Sequence, residues 1–196
     1  MKKITSLLFI LLFWVNSNLS AESNQKIKRI SEGRSDAKIT IITYESLTCG
    51  HCADFHKNVY PDLKKNFIDV GLVKIEFRHF PLDMAAFNAS KIAQCNNDGK
   101  SDLLHILFSN QQKWAKGETP EKASYYLKKF LKDEGININF EKCTKNNNIE
   151  EYILNDRIVG VKKFQVNATP TIIINDKKFD KALNYKNLKK FLEKLI

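Results

Sequence analysis

The chain has 196 residues, of which 43% are hydrophobic and 28% are charged. This composition lies in the globular range and excludes disordered, collagen-like and cysteine-dense miniprotein classes. A chain of this length buries about two-thirds of its unfolded surface, so we expect one domain around a real core. The net charge of +10 comes from lysines scattered among acids, and no zinc-finger or RNP pattern occurs, so we predict no nucleic-acid binding.

Residues 1–21 are predicted to be a secretory signal peptide. Two lysines precede the apolar run Leu7–Val15, and a polar stretch ends at Ala21, as in such peptides. The run is shorter than the roughly 20 residues that a membrane span needs. An uncleaved anchor is the alternative, since Leu19 is larger than the residue usual at that place. We therefore expect residues 22–196 to be exported as a mature chain without stable membrane insertion.

The first part of the mature chain is predicted to form a strand, a helix and a second strand. The run Ile39–Tyr44 is β-branched and apolar, as in a strand buried on both faces. From Gly50 the apolar residues recur every three or four positions, which predicts a helix that Pro61 kinks or splits. Apolar and charged residues then alternate in a strand over 73–80.

The rest of the chain is predicted to be a helical block followed by a hairpin and a helix. Strand character returns at Thr171–Ile174, and a turn leads into Lys177–Phe179 and a C-terminal helix over 185–195. A parallel βαβ unit joined to an antiparallel hairpin gives a small mixed sheet covered by helices, an α/β fold. The helical insertion spans about 84–164, with helical patterns near 84–97, 102–115, 120–132 and 149–164.

Four cysteines, at positions 49, 52, 95 and 143, allow three disulfide pairings. Outside the cytosol disulfides form and persist, and the spacing favours one local pair, Cys49–Cys52, and one distant pair, Cys95–Cys143. We interpret the distant pair as structural rather than as a second redox pair, because neither cysteine opens a helix near a cation. In the loop-entropy model, a bond across this separation stabilises the fold by about 4 kcal/mol.

The motif Cys49-Gly50-His51-Cys52 lies at a predicted strand-to-helix junction. The free N–H groups and the dipole of a helix N-terminus favour an anion, and such sites lower a thiol pKa from about 8.5 to roughly 3.5–7.5. We therefore expect Cys49 to be the reactive thiolate. His51 supplies a donor or a positive charge that favours this thiolate, and a stabilised reduced form makes a couple more oxidising. Cys52, on the buried side of the helix, is expected to resolve mixed disulfides.

A plain structural disulfide or half of a zinc site is the alternative interpretation of this motif. Zinc needs two further ligands, and His56, His79 and His105 form no second close pair in the sequence. Ala53 follows Cys52, so the CxxCH haem signature is missing. We predict neither a metal nor another cofactor.

The stretch Tyr44–Ala53, the βαβ start, the helical insertion and Ala168–Thr171 ahead of a hairpin together resemble a DsbA-like thiol:disulfide oxidoreductase of the thioredoxin-fold superfamily. The resemblance covers nearly the whole mature chain. It implies a thioredoxin fold with an inserted helical subdomain, in which Pro170 is cis and faces the cysteine pair. It further implies that Thr169 lends backbone hydrogen bonds to a bound substrate strand, and it too points to a structural Cys95–Cys143 bond.

The chain departs from the family pattern at two places. Many relatives carry a buried acid six residues before the first cysteine, where this chain has Thr43. Glu45, two positions on and therefore on the same strand face, either substitutes for that acid or is a solvent-facing acid at the strand end. The dipeptide Gly50-His51 equals that of protein disulfide isomerases, which leaves the strength of oxidation open.

The resemblance implies a periplasmic dithiol oxidase. In such an enzyme the Cys49–Cys52 disulfide passes to reduced or unfolded exported proteins, and a DsbB-type membrane partner reoxidises the pair. An isomerase or reductase of the same fold is the first alternative, although the lead-in Glu22–Lys38 is too short for the dimerisation domain of bacterial isomerases. The second alternative is a basic exported binding protein with purely structural disulfides.

Overall fold

A computed structural model of the chain describes residues 26–196, which fold into a five-stranded mixed sheet covered by helices. The strands are β1 (Ser31–Glu32), β2 (Ile39–Glu45), β3 (Val73–His79), β4 (Thr171–Ile174) and β5 (Lys177–Lys178), in the spatial order β1-β3-β2-β4-β5. The β2 and β3 strands are parallel, and the other neighbouring pairs are antiparallel. The predicted α/β architecture is confirmed, whereas the predicted signal peptide lies outside the described residues.

The helices account for the predicted helical block and for both flanking helices. They are α1 (Gly50–Asn58), α2 (Tyr60–Leu63), a π-helical turn (Lys64–Ile68), α3 (Met84–Gln94), α4 (Asp102–Ser109), α5 (Gln111–Trp114), α6 (Pro120–Asp133), α7 (Phe140–Thr144), α8 (Asn147–Phe164) and α9 (Tyr185–Leu192).

The predicted split of the helix that begins at Gly50 is found, whereas other predicted bounds differ from the structure. The helix that begins at Gly50 is interrupted at Val59, and Pro61 lies in the first turn of α2, where the missing N–H of a proline costs no helical hydrogen bond. The helix predicted over 102–115 is two helices separated at Asn110. The β1 strand and the α7 helix were not predicted, since elements of two and five residues are too short to show a period.

The central strand β2 is buried on both faces, which explains its continuous apolar run. Side chains alternate between the two faces of a strand. Ile39 and Ile41 pack into a larger core with α1, whereas Ile42 and Tyr44 belong to a smaller core on the opposite face, with Phe164 at the end of α8. Thr43 and Glu45, the next odd-numbered positions of β2, therefore lie on the face of the sheet that borders the larger core.

The helical insertion comprises α3 to α8. It packs beside α1, and α4 makes the contact. A disulfide joins Cys95, at the end of α3, to the buried Cys143 in α7, with a Cα–Cα distance of 5.4 Å. This bond ties two helices of the insertion together. No helix within residues 26–196 has the length and apolar character needed to cross a membrane.

Candidate active site

Cys49 lies where β2 gives way to α1, as the residue that caps the helix N-terminus. Its thiol is free and partly exposed, and Cys52, one turn later, is a free thiol with 0% of its surface exposed. The two sulfurs are therefore one helical turn apart but differ in their exposure to solvent.

The loop that presents Cys49 is held by side chains of the insertion. Gln111 Nε2, in α5, donates hydrogen bonds to the carbonyl oxygens of Leu47 (2.8 Å) and Cys49 (3.1 Å). Thr48 Oγ1 donates to Asp83 Oδ2 (2.7 Å), and Asp83 Oδ1 caps α3. The orientation of the reactive cysteine thus depends on residues far away in the sequence.

The pKa of the Cys49 thiol is lowered to about 5, inside the range expected for a cysteine at a helix N-terminus. The largest cause is a hydrogen bond from the Cys52 thiol, which favours the Cys49 thiolate; partial burial opposes the shift. A side-chain hydrogen bond from Thr169 and the backbone N–H groups of Cys52 and His51 add to the lowering. At neutral pH Cys49 is therefore mostly a thiolate.

The pKa of the Cys52 thiol moves in the opposite direction. Burial raises it most, and the hydrogen bond donated to Cys49 and the negative charge of Glu45 raise it further. Cys52 therefore keeps its proton at neutral pH while Cys49 gives its proton up.

His51 is predicted from the sequence to supply a donor or a positive charge that favours the Cys49 thiolate. Its side chain is 88% exposed and lies 4.0 Å from Asp54, turned towards solvent. The contribution of His51 to the lowered Cys49 pKa comes from its backbone N–H, which lies at the helix N-terminus whichever way the imidazole turns. The imidazole is not among the leading causes of the lowered pKa.

The loop before β4 lies against the reactive sulfur. The Thr169–Pro170 peptide bond is cis, and the Cys49 thiol donates to the Thr169 carbonyl oxygen at 3.3 Å. Thr169 Oγ1 is buried and has no hydrogen-bond partner, so its hydroxyl is free to donate to the thiolate. Beside this loop lies an open groove of about 510 Å³, lined by His51, Phe55, Thr169, Pro170 and Leu183 among others.

Glu45, at the end of β2, is 4% exposed, so the interpretation of a solvent-facing acid is wrong. Its Oε2 lies 2.9 Å from His56 Nε2, and its Oε1 is buried without a partner. His56 was not predicted as a site residue, although it stands four residues after Cys52 on one face of α1, a spacing that could have suggested the contact.

Glu45 and His56 lie close together, and such side chains are also ligands in metal sites. Within the stretch 26–196, no group of three or more His, Cys, Asp or Glu side chains is arranged to hold a metal ion. The chemistry that the arrangement supports is thiol–disulfide exchange at Cys49, with Cys52 as the second sulfur.

Thr169→Val is expected to raise the Cys49 pKa, because it removes the hydroxyl that hydrogen-bonds the thiolate while keeping the side-chain shape. The ultraviolet absorbance of the thiolate, titrated with pH, measures this change. Thr171→Val is the matched control, since Thr171 Oγ1 donates only to the Ala168 carbonyl oxygen. A Thr169→Val titration that coincides with that of the parent contradicts the assigned role of the hydroxyl.

The stability gap between the reduced and oxidised proteins should depend on pH. A cysteine titrates near 8.5 when unfolded and Cys49 at about 5 when folded, so the folded reduced form binds fewer protons between these values. Its stability relative to the oxidised form should therefore rise from about pH 5 to about pH 8 and be lost below pH 5. Urea unfolding of both forms across this range measures the gap, and a constant gap contradicts the lowered pKa.

Known proteins share this fold and motif. The family model described as Thioredoxin matches residues 25–194. A putative protein-disulfide oxidoreductase of Rickettsia bellii is 28% identical over 150 residues, 73% of this chain and 55% of that protein, so the chain spans about half of that relative. Disulfide bond formation protein D of Bacillus subtilis is 28% identical over 172 residues, 83% of this chain and 74% of that protein.

The solved structures give the same assignment. The crystal structure of alpha-DsbA1 from Wolbachia pipientis matches with a TM-score of 0.75 at 27% identity, covering 85% of this chain and 90% of that one. The thiol-disulfide exchange protein alpha-DsbA2 of the same organism matches with a TM-score of 0.64 at 28% identity, covering 86% and 87%. The chain therefore belongs to the thioredoxin family and has the helical insertion of its DsbA-like members.

Proposed function

We propose that the protein is a thiol:disulfide oxidoreductase that introduces disulfide bonds into exported proteins through Cys49 and Cys52. The observation that carries this proposal is the placement of the two thiols: Cys49 caps the N-terminus of α1 and is partly exposed, whereas Cys52 is fully buried. This placement lowers the pKa of Cys49 and raises that of Cys52. A stabilised Cys49 thiolate favours the reduced pair over the disulfide, and a couple with a stabilised reduced form is oxidising.

Exchange begins at the exposed sulfur. A substrate thiolate attacks Cys49 Sγ, the Cys49–Cys52 bond breaks, and Cys52 leaves with the electron pair and takes up a proton. A second substrate thiolate then attacks the substrate sulfur of the mixed disulfide, and Cys49 leaves as a thiolate. The substrate has lost two electrons and the cysteine pair has gained them. A leaving thiol with a low pKa departs faster, which suits Cys49 to this second step.

The groove beside the Thr169–Pro170 loop is the proposed substrate site. It borders α1, which Cys49 caps, and is lined by both apolar and polar side chains. An extended, unfolded polypeptide could lie along the loop, with Thr169 supplying backbone hydrogen bonds and Pro170 an apolar contact. In this proposal Cys95–Cys143 is a structural bond of the insertion and takes no part in exchange.

The proposed site of action is the periplasm, reached through a signal peptide at residues 1–21, followed by a mature domain over residues 22–196 that contains the helical insertion. Each turnover leaves the pair reduced, so a two-electron oxidant must restore the disulfide. A DsbB-type, quinone-linked membrane protein is the proposed reoxidant, and reduced or unfolded exported proteins are the proposed substrates. The name of the Bacillus subtilis relative, disulfide bond formation protein D, supports this direction of exchange.

Cys49→Ser is expected to abolish oxidation of a reduced, unfolded test protein such as ribonuclease. Cys52→Ser cannot form the Cys49–Cys52 disulfide and should lose this activity too. When its Cys49 is first converted to a mixed disulfide with glutathione, it should exchange glutathione for a test protein that has a single thiol and hold that protein as a mixed disulfide, because no second substrate thiol remains to release it. Thiol loss from the test protein and the mass of the trapped complex measure the two effects.

The control is the Cys95→Ala/Cys143→Ala double variant. It should lose about 2–4 kcal/mol of unfolding free energy but retain the oxidation rate per folded molecule. Oxidation that survives Cys49→Ser contradicts the proposed function and favours the interpretation as a binding protein with inert disulfides.

A further inference from the structure

Lysines cover one side of the molecule, next to the groove beside the Thr169–Pro170 loop. Between the start of β5 and the residue after Glu193, the exposed side chains include seven lysines but only two acids, Asp180 and Glu193. We call these lysines the basic tract: Lys177, Lys178, Lys181, Lys186, Lys189, Lys190 and Lys194. A surface on which one sign of charge prevails attracts ligands of the opposite sign.

The two elements that carry the basic tract pack against each other. The β5 strand forms the edge of the sheet, and the rings of Phe179, directly after β5, and Phe191, in α9, lie 5.5 Å apart. Leu188 and Leu192 bury the inner side of α9, so its exposed lysines lie on the outer side. The basic tract therefore extends from the edge of the sheet onto the outer side of α9.

The α9 part of the tract begins where the groove ends. Leu183, Asn184 and Tyr185 line the groove of about 510 Å³, and Tyr185 is the first residue of α9. Lys186 follows directly and lies beyond this lining. From Tyr185 to Leu192 a helix rises about 10 Å, which an extended polypeptide covers with about three residues. A polypeptide that leaves the groove along α9 thus meets lysines within a few residues.

Most of the charge of the tract is not neutralised by the fold. Within residues 26–196, Lys189 is its only member that lies within ion-pair distance of a carboxylate, 3.7 Å from Glu193. Lys178 Nζ donates to the carbonyl oxygen of Gln165 at 3.3 Å, which leaves its charge in place. The tract therefore presents several positive charges to a ligand.

Lys186 occupies a position that is unfavourable for the helix itself. It lies in the first turn of α9, which contains no acid, although the dipole at a helix N-terminus favours an anion and disfavours a cation. Lys190, four positions later, places a second like charge beside it, which also disfavours a helix. Such local rules are broken chiefly at functional sites. Binding of an anionic ligand accounts for these two lysines, whereas helix stability does not.

The partner that fits the tract is an acidic polypeptide rather than a lipid surface. Helices that bind membranes insert an apolar face among the lipids, whereas the apolar face of α9 is buried in the core. The tract is also continuous with the groove in which the substrate is proposed to lie. Asp54 lines that groove and repels acids next to the reacting cysteine, so the attraction acts further along the chain.

We propose that the basic tract selects substrates that carry acidic side chains a few residues away from the reacting cysteine. The cysteine reaches Cys49, the adjoining segment lies in the groove, and the acidic segment continues along α9, where Lys186 and Lys190 attract it. Attraction of this kind acts mainly on the rate of association. The inference rests on the proposed function, because it names the class of substrate for the same site.

Matched peptides test the proposal. Each has two cysteines, a neutral spacer of four residues and a tail of three glutamates, three glutamines or three lysines, placed either before or after the cysteines. The oxidised protein is mixed with excess peptide, the reaction is stopped with acid, and the remaining thiols are counted by alkylation and mass. With the tail at one end, the glutamate peptide should be oxidised about tenfold faster than the lysine peptide at low salt. With the tail at the other end, the two rates should be close.

The preference should depend on salt and on α9. The Debye length falls from about 30 Å at 0.01 M salt to about 3 Å at 1 M, so the two rates should converge at 1 M. At low salt, Lys186→Gln/Lys190→Gln should reduce the glutamate-to-lysine ratio to about threefold, because two of the attracting charges are lost. A ratio of rates is independent of the amount of folded protein. The β5 lysines are left intact, since lysines on an edge strand also prevent sheet pairing.

Lys142→Gln/Lys145→Gln is the matched control. It removes the same charge from exposed side chains of the insertion, beside the Cys95–Cys143 bond, and should keep the parent's ratio.

Equal rates for glutamate and lysine tails at low salt contradict the proposal. An equal preference at both ends of the peptide also contradicts it, because the net charge alone then attracts the substrate, and so does a preference that survives Lys186→Gln/Lys190→Gln. If the parent shows no peptide preference but sediments with phosphatidylglycerol vesicles, and this variant does not, the tract binds lipid and the proposal is wrong. Failure to oxidise the glutamine peptide would instead contradict the proposed function at Cys49.

Discussion

Cys49 and Cys52 stand one helical turn apart. The Cys49 sulfur lies at the N-terminus of α1, and the Cys52 sulfur lies in the core of the protein. The N-terminal amides of α1 and the Thr169 loop surround Cys49, whereas Cys52 meets apolar side chains and the charge of Glu45. An anion is favourable in the first place and unfavourable in the second. This difference makes one sulfur the point of attack and gives the disulfide its tendency to be reduced.

The rest of the fold maintains that difference. The β2 strand, buried on both faces, ends at the reactive loop and carries Glu45 into the core beneath α1. The insertion contributes Gln111, which donates hydrogen bonds to the carbonyl oxygens of Leu47 and Cys49. It also contributes His105, whose Nδ1 lies 3.1 Å from His56 Nδ1. The insertion is thus part of the reactive centre as well as a cover for the sheet.

The sequence predicted the elements that have a strong pattern. The apolar run of β2, the alternation of β3 and the hairpin after Pro170 gave their strands, and the helix start at Gly50 placed Cys49 at an N-terminus. Pro61 predicted a split in the helix that begins at Gly50, but the hydrophobic period of three and four continues across the break and does not show that it falls at Val59. The β1 strand, with two residues, was too short to be predicted, although its Glu32 Oε1 lies 2.8 Å from His105 Nε2.

The surroundings of Cys52 were also beyond reach of the sequence. His56 and His105 are 49 positions apart and meet only because α4 packs against α1. Two interpretations of Glu45 were equally compatible with its place at a strand end, and only the packing of α1 over β2 decides between them. The exposure of the His51 side chain could not be predicted either, because spacing in the sequence does not determine which way a ring at a helix terminus turns.

The reduction potential of the Cys49–Cys52 couple tests the central claim most directly. It is measured by equilibrating the protein with glutathione buffers while Cys95–Cys143 stays intact. Because the Cys49 thiolate is stabilised, the potential should be more positive than about −200 mV, on the oxidising side of thioredoxin and of the glutathione pool. A value near −270 mV, the potential of thioredoxin, would contradict disulfide donation and make the protein a reductase.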